Sequence, residues 1–125
     1  MSNVYFLMNN DLKNRTKIVA QNCVKLSLNL PNSFLGNHIK GQLVRSSTSV
    51  AANYRATCLA QTKKSFISKI NIVIEEVDES NFWINFLVDE GLLGHETCKS
   101  LLKESDELTR IFISSRKTAN LNSTN

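Results

Sequence analysis

Apolar residues recur along the chain at alternating spacings of three and four, in four separate segments. This spacing places apolar side chains on one face of a helix. The third segment has the most regular stripe, formed by Phe66, Ile70, Val73, Val77, Ser80, Ile84 and Leu87. The pattern predicts four amphipathic helices, at about residues 11–29, 37–60, 63–89 and 95–117.

Helix boundaries follow from the residues between these segments. Asp11 is a plausible N-cap of the first helix, Pro31 ends it, and Gly91 stops the third. Short loops make consecutive helices antiparallel. The sequence therefore predicts an all-α fold, an antiparallel up-down-up-down four-helix bundle, as a single domain over residues 1–125. The polar tail, residues 118–125, is predicted to be frayed and flexible.

The second helix carries small residues where large apolar ones are usual, in the run RSSTSVAANYRA at 45–56. Small residues let a neighbouring helix approach closely, and tight packing is the simplest interpretation of the run. An antiparallel third helix brings Arg45 among carboxylates that include Glu76 and Glu79, so we expect an ion pair there. It also brings Asn53 near the start of that helix, where its amide could find a partner.

The third helix has a second apolar face. Ile72, Phe82, Trp83 and Phe86 fall roughly opposite the core stripe at about 100° per residue. Exposed aromatic patches usually mark protein interfaces, so this face predicts a homo-oligomer. The alternative is that loops, or the N-terminal VYFLM segment, cover the rings.

The composition indicates in which cellular compartment the protein is expected. The sequence contains no run of about 20 apolar residues, so we expect no membrane span. The start, MSNVYFLMNN, lacks the basic residues and long apolar stretch of a signal peptide. Three cysteines are an odd number and lie far apart, which is typical of buried thiols rather than of a disulfide framework. We therefore expect a cytoplasmic protein.

No pattern of catalytic, cofactor-binding or metal-binding residues emerges. His38 and His95 lack metal-ligand spacing to a cysteine or carboxylate. The carboxylates of the third helix would need Glu-x-x-His motifs on partner helices to form a di-iron site, and the sequence has none. The serines of the second helix lack a positioned base, and no phosphate-binding glycine loop is present. We expect a protein that is not an enzyme.

Charge gives the strongest indication of a partner. The chain has a formal net charge of +4, and residues 1–61 hold seven basic residues and one acidic residue. In an oligomer each basic patch is repeated, which favours a polyanion such as nucleic acid. The alternative is an ordinary solvated surface. Candidate nucleic-acid-binding residues are Lys13, Arg15, Lys17, Lys25, Arg55, Lys63 and Lys64, with Arg110, Arg116 and Lys117 adding positive charge on the fourth helix.

Two segments also carry a resemblance to a known family. The runs QLVRSSTSVAANYRA at 42–56 and KKSFISKINIVIEEVDESNFWINFL at 63–87 resemble the four-helix bundle proteins encoded in intervening sequences of bacterial 23S rRNA genes. That family is in turn similar to the accessory variability determinant of diversity-generating retroelements. The resemblance covers about residues 12–115. One departure is Ala56, where many relatives have a glutamate.

The resemblance implies a left-handed bundle that assembles into a homopentameric ring, associated in the retroelement relative with nucleic acid and a reverse transcriptase. Our leading hypothesis is thus a cytoplasmic, non-enzymatic homopentamer that binds structured RNA or DNA through basic side chains. The alternatives are an adaptor that docks a partner such as a reverse transcriptase, and a structural protein without a nucleic-acid role.

Overall fold

The computed structural model describes the backbone of residues 3–121 and the side chains of residues 9–121. It contains four helices, α1 (Asn3–Leu28), α2 (Phe34–Cys58), α3 (Lys63–Asp89) and α4 (His95–Leu121). Helix α1 packs on α2 and α4, and helix α3 packs on α2 and α4, so the order around the bundle is α1, α2, α3, α4. No strand occurs within residues 3–121. The predicted all-α four-helix bundle is confirmed.

Helices α1 and α4 each extend beyond their predicted bounds. Helix α1 begins at Asn3, and Asp11 is an exposed residue inside it rather than its N-cap. The residues before Asp11 include no glycine or proline that would end the helix. Helix α4 continues to Leu121, so residues 118–121 of the predicted tail are helical, and residues 122–125 lie outside the described part of the chain.

The start of α2 is set by a cap that the sequence pattern did not indicate. The Ser33 hydroxyl accepts a hydrogen bond from the Gly36 amide at 3.0 Å, so α2 begins at Phe34, earlier than expected. A β-carbon at Gly36 would lie only 2.0 Å from the Pro31 carbonyl oxygen. Only glycine therefore allows the loop to fold this closely over the first turn of α2.

The core draws apolar side chains from all four helices. Its fully buried members include Cys23, Ile39, Leu43, Val50, Val73, Val77, Ile84, Leu87, Cys98, Leu108 and Phe112. Each large apolar side chain removed from water in this way contributes about 1.5–3 kcal/mol to folding. Burial raises the pKa of Cys23 to about 12 and also raises the pKa of Cys98, so both remain neutral thiols in the core at physiological pH.

Two neighbouring serines of α2 face two different helices. The hydroxyl oxygens of Ser46 and Ser80 lie 2.9 Å apart in a hydrogen bond between α2 and α3, and both residues are buried. Ser47, also buried, lies beside Cys23 of α1 and donates a hydrogen bond to the Val44 carbonyl of its own helix at 3.4 Å. These small side chains keep α2 close to both neighbours and leave their own polar atoms paired. We call the Ser46–Ser80 contact the serine seam.

We expect Ser46→Leu to destabilise the protein by about 1–3 kcal/mol, because the added side chain has no space between α2 and α3. Thr48→Leu is the matched control, since Thr48 is exposed on the same helix and should change stability by less than about 0.5 kcal/mol. Urea unfolding followed by circular dichroism measures both. Equal stability of the two variants would contradict close packing at the serine seam.

Candidate functional site

Charge is separated along the long axis of the bundle. The antiparallel order brings the starts of α1 and α3 together with the ends of α2 and α4. We call this region, formed by residues 9–13, 54–70 and 110–121, the basic end. Asp11 is its single acidic residue. Its eight basic residues are Lys13, Arg55, Lys63, Lys64, Lys69, Arg110, Arg116 and Lys117.

Only part of the set predicted from the sequence lies at the basic end. Arg55 and Lys64 are exposed there, and Lys13 and Lys63 are half-buried. Lys17 is exposed farther along α1. Lys25 is exposed in the last turn of α1, near the opposite end of the bundle. The structure therefore divides the predicted set into two regions instead of forming one continuous patch.

Arg15, another member of the predicted set, is engaged within the bundle. Its guanidinium lies 2.6 Å from the Glu104 carboxylate and 3.1 Å from that of Glu107, both on α4. The hydrogen bond to Glu104 is the main reason that the pKa of Arg15 is raised, although burial opposes it. Two acidic partners compensate this charge. The ion pairs connect α1 to α4, which have the sparsest packing of any neighbouring helices in the described part of the chain.

Further basic residues at this end lie on α3 and α4. Lys69, half-buried on α3, was not among the candidates. Arg116 of α4 donates a hydrogen bond to the Asn71 side-chain oxygen of α3 at 2.9 Å. The order of charges along the sequence does not show that these residues form one cluster, because the last helix meets the first turns of α3 only after folding. The antiparallel topology was the one feature from which the clustering of these basic residues could have been predicted.

A cavity of about 750 Å³ opens within the basic end. The Tyr54 ring packs against the buried Phe112 with 5.2 Å between ring centroids. The Tyr54 hydroxyl also donates a hydrogen bond to the Asn9 side-chain oxygen at 3.3 Å. The apolar part of the lining is formed by Leu12, Phe66, Ile70 and Ile111, and the polar part includes Lys63, Arg110, Ser114, Ser115 and Thr118.

The second apolar face of α3 forms an aromatic cluster with α2. We define the aromatic patch as Ile72, Phe82, Trp83 and Phe86. The ring centroids of Trp83 and Phe82 are 5.0 Å apart, and those of Trp83 and His38 of α2 are 5.5 Å apart. Phe82 is 53% exposed and Ile72 is 40% exposed.

Trp83 and Phe86 do not point away from the core as the sequence analysis expected. Both are half-buried and pack against the core cluster, and the Trp83 ring also contacts His38 of α2. The VYFLM segment, the alternative cover for these rings, has side chains outside the described residues. Asn9, just after it, contacts Tyr54 at the basic end, whereas Trp83 contacts His38 at the start of α2.

An ion-pair network lies beside the patch. Arg45 of α2 contacts Glu76 at 3.3 Å and also pairs with Glu79. The Trp83 indole donates to the Glu79 carboxylate at 3.1 Å. Partial burial of Glu79 favours its neutral form, but the bonds from Arg45 and Trp83 outweigh this and lower its pKa. Asn53 instead donates to the Ser49 carbonyl of its own helix at 2.8 Å, so it does not reach α3 as expected.

Two negative findings apply to the described part of the chain. Within residues 9–121, no group of three or more His, Cys, Asp or Glu side chains is placed to hold a metal ion. No helix over residues 3–121 combines the length and hydropathy that a membrane span requires.

The Arg45–Glu79–Trp83 network should respond to pH. Trp83 is the sole tryptophan of the chain, so its fluorescence reports on Glu79. We expect a transition below the usual pH range of a glutamate, because Glu79 has a lowered pKa and keeps its charge until the pH falls through that value. Arg45→Met should move the midpoint to higher pH, because the loss of the positive partner raises the pKa of Glu79.

Arg15→Met is the control for this titration, since Arg15 pairs with α4 and not with Glu79. Its midpoint should match that of the wild type. If Arg45→Met left the midpoint unchanged, the assignment of the transition to Glu79 would be wrong.

Comparison with known proteins now identifies the family. The model of the 23S rRNA-intervening sequence protein family matches residues 8–114. A crystal structure of a protein of unknown function from the S23 ribosomal protein family of Bacteroides thetaiotaomicron VPI-5482 superposes with a TM-score of 0.77. The two sequences are 30% identical, and the match covers 85% of this chain and 98% of that one. Among curated proteins, none matches. The chain belongs to the 23S rRNA-intervening sequence protein family.

Proposed function

We propose that this protein is a non-enzymatic, homo-oligomeric bundle that binds structured RNA or DNA through its basic end. The separation of charge is the observation that supports this most directly, since eight basic side chains and one acidic side chain share that end. The other ten acidic residues lie farther along the bundle. A polyanion would therefore meet attraction at one end and repulsion toward the other, which gives binding a defined orientation.

Phosphate groups are the part of the nucleic acid that this surface suits. Lysine and arginine side chains bind phosphates irrespective of base sequence, and each neutralised phosphate releases counterions. The family name refers to 23S rRNA intervening sequences, which makes RNA the first nucleic acid to test. An RNA partner also agrees with a cytoplasmic location.

Oligomerisation would strengthen such binding. The exposed Phe82 and Ile72 provide an apolar surface on α3 for a second copy of the chain. The resemblance to ring-forming relatives implies five subunits. In a closed cyclic ring all subunits point the same way along the symmetry axis. Bundles aligned with that axis would present every basic end on one face, where a single polyanion engages several copies.

The aromatic patch also supports a second candidate function. Trp83 is a residue type that often dominates protein interfaces, and it lies in a cluster with Phe82, Phe86 and His38. A protein partner such as a reverse transcriptase would use the same patch. The oligomeric state separates the two possibilities, because self-association through the patch would compete with a partner.

We expect Phe82→Glu to convert the oligomer into a monomer, since a carboxylate at the centre of an apolar interface is buried without a partner. Native mass spectrometry at micromolar concentration measures the change against the 14.1 kDa chain. Leu59→Glu is the matched control, because Leu59 is 77% exposed and lies in the loop after α2, at the basic end. A mass spectrum that shows only monomeric wild-type protein would contradict the proposed oligomer.

Charge reversal tests the nucleic-acid interface. The triple variant Arg55→Glu, Lys63→Glu, Lys64→Glu should bind a structured RNA at least tenfold more weakly than the wild type. The slope of log affinity against log salt should also become shallower by about 2–3, at roughly 0.9 per lost phosphate contact on a duplex. Fluorescence anisotropy across a salt series measures both quantities.

The control is Lys25→Glu, Lys99→Glu, Lys103→Glu, which changes the net charge equally. These three side chains are exposed and lie outside the basic end. This variant should retain affinity within about threefold, because long-range charge effects between exposed groups are screened by salt. Equal loss in both triple variants would show a general charge effect, and absence of wild-type binding at low salt would refute the proposed function.

A further inference from the structure

The cavity at the basic end differs from an ordinary gap between helix ends. Its volume, about 750 Å³, falls within the range of small-molecule pockets. The Tyr54 ring in its lining is fixed by packing on Phe112 and by the hydrogen bond with Asn9. The pocket is therefore preformed on one side by rigid side chains, and a ligand would not have to order that wall.

The chemistry of the lining is mixed in a specific way. Phe66, Ile70 and Ile111 supply apolar surface, and Phe66 adds an aromatic ring. Hydroxyls of Ser114, Ser115 and Thr118 follow one another along α4, and the Gln61 amide lies at the loop. A flat heterocycle with polar edges matches this combination. A lipid chain would leave the row of hydroxyls without partners, and a bare ion would face the apolar wall.

The charge around the cavity identifies what the heterocycle would carry. Lys63 and Arg110 belong to the lining itself, and Arg55, Lys64 and Lys117 lie on the same end of the bundle. A phosphate outside the cavity would meet several cations while the attached base enters the apolar interior. A nucleotide combines these two parts in one molecule.

We propose that this cavity receives an unstacked nucleobase of a single-stranded RNA or DNA segment, with the flanking phosphates held by the surrounding basic residues. This inference rests on the proposed function and makes it more specific. A base in a duplex is paired and stacked, so it enters a pocket only after unpairing, whereas a loop or a frayed end offers its bases directly. Stacking against aromatic and apolar side chains accepts any base, so the contact favours single strands without reading sequence.

The test uses a variant that fills the cavity and leaves the surface charge unchanged. Ser115→Trp places an indole into the lining of α4, and Ile113→Trp is the control, because Ile113 is exposed and not part of the cavity. The probes are an unstructured 12-nucleotide RNA with one central 2-aminopurine, a blunt duplex of equal phosphate number, and a free mononucleotide. Circular dichroism melting establishes that both variants are folded.

For the wild type we expect tighter binding of the single strand than of the duplex, with a change in 2-aminopurine emission on binding. Ser115→Trp should weaken single-strand binding at least fivefold and remove the emission change, while duplex binding stays within twofold. Ile113→Trp should behave as the wild type. If the mononucleotide at equal concentration displaced the single strand, the pocket would be a site for a free nucleotide, and the proposal of a base from a nucleic-acid strand would be wrong.

Failure of this inference can be told apart from failure of the proposed function. Wild-type binding to both nucleic acids with no effect of Ser115→Trp would overturn the pocket and leave the basic end as the interface. Binding to neither nucleic acid at low salt would overturn both.

Discussion

The close contact between α2 and α3 at the serine seam is the constraint on which the other features depend. Ser46 and Ser80 have side chains small enough to let the two helices approach, and their hydrogen bond holds one register. That register sets Arg45 against Glu76 and Glu79, and it sets His38 against Trp83. The polar run in the second helix thus aligns the two helices, and the hydroxyls of Ser46, Ser47 and Thr48 find partners within the bundle.

Register and antiparallel topology together produce the separation of charge. Residues that are distant in sequence, such as Lys64 on α3 and Lys117 on α4, come to one end because α3 begins where α4 finishes. Carboxylates of the same two helices, such as Glu79 and Glu104, are placed farther from that end and find arginine partners on neighbouring helices. The basic end therefore keeps cations that are not compensated by nearby acids, while the middle of the bundle is closer to neutral.

Helix bounds were predicted best from the sequence where a regular apolar stripe was the main signal. The bounds of α3 were predicted as observed, because its apolar stripe is sustained and glycine follows it. The start of α1 was wrong, because a residue suited to capping, Asp11, is also tolerated inside a helix. Asn53 was expected to reach another helix, but a carbonyl of its own helix was nearer. The cavity depends on how four helix ends meet, which no local pattern describes.

The contact between α1 and α4 differs from the other helix contacts of the bundle. Among the described residues it is the sparsest contact between neighbouring helices, and the ion pairs of Arg15 with Glu104 and Glu107 bridge it. In the order around the bundle it lies opposite the α2–α3 side, where the aromatic patch begins. We therefore expect local opening of the bundle to begin at this contact rather than on the α2–α3 side, and residues of α1 and α4 that line the cavity lie along it.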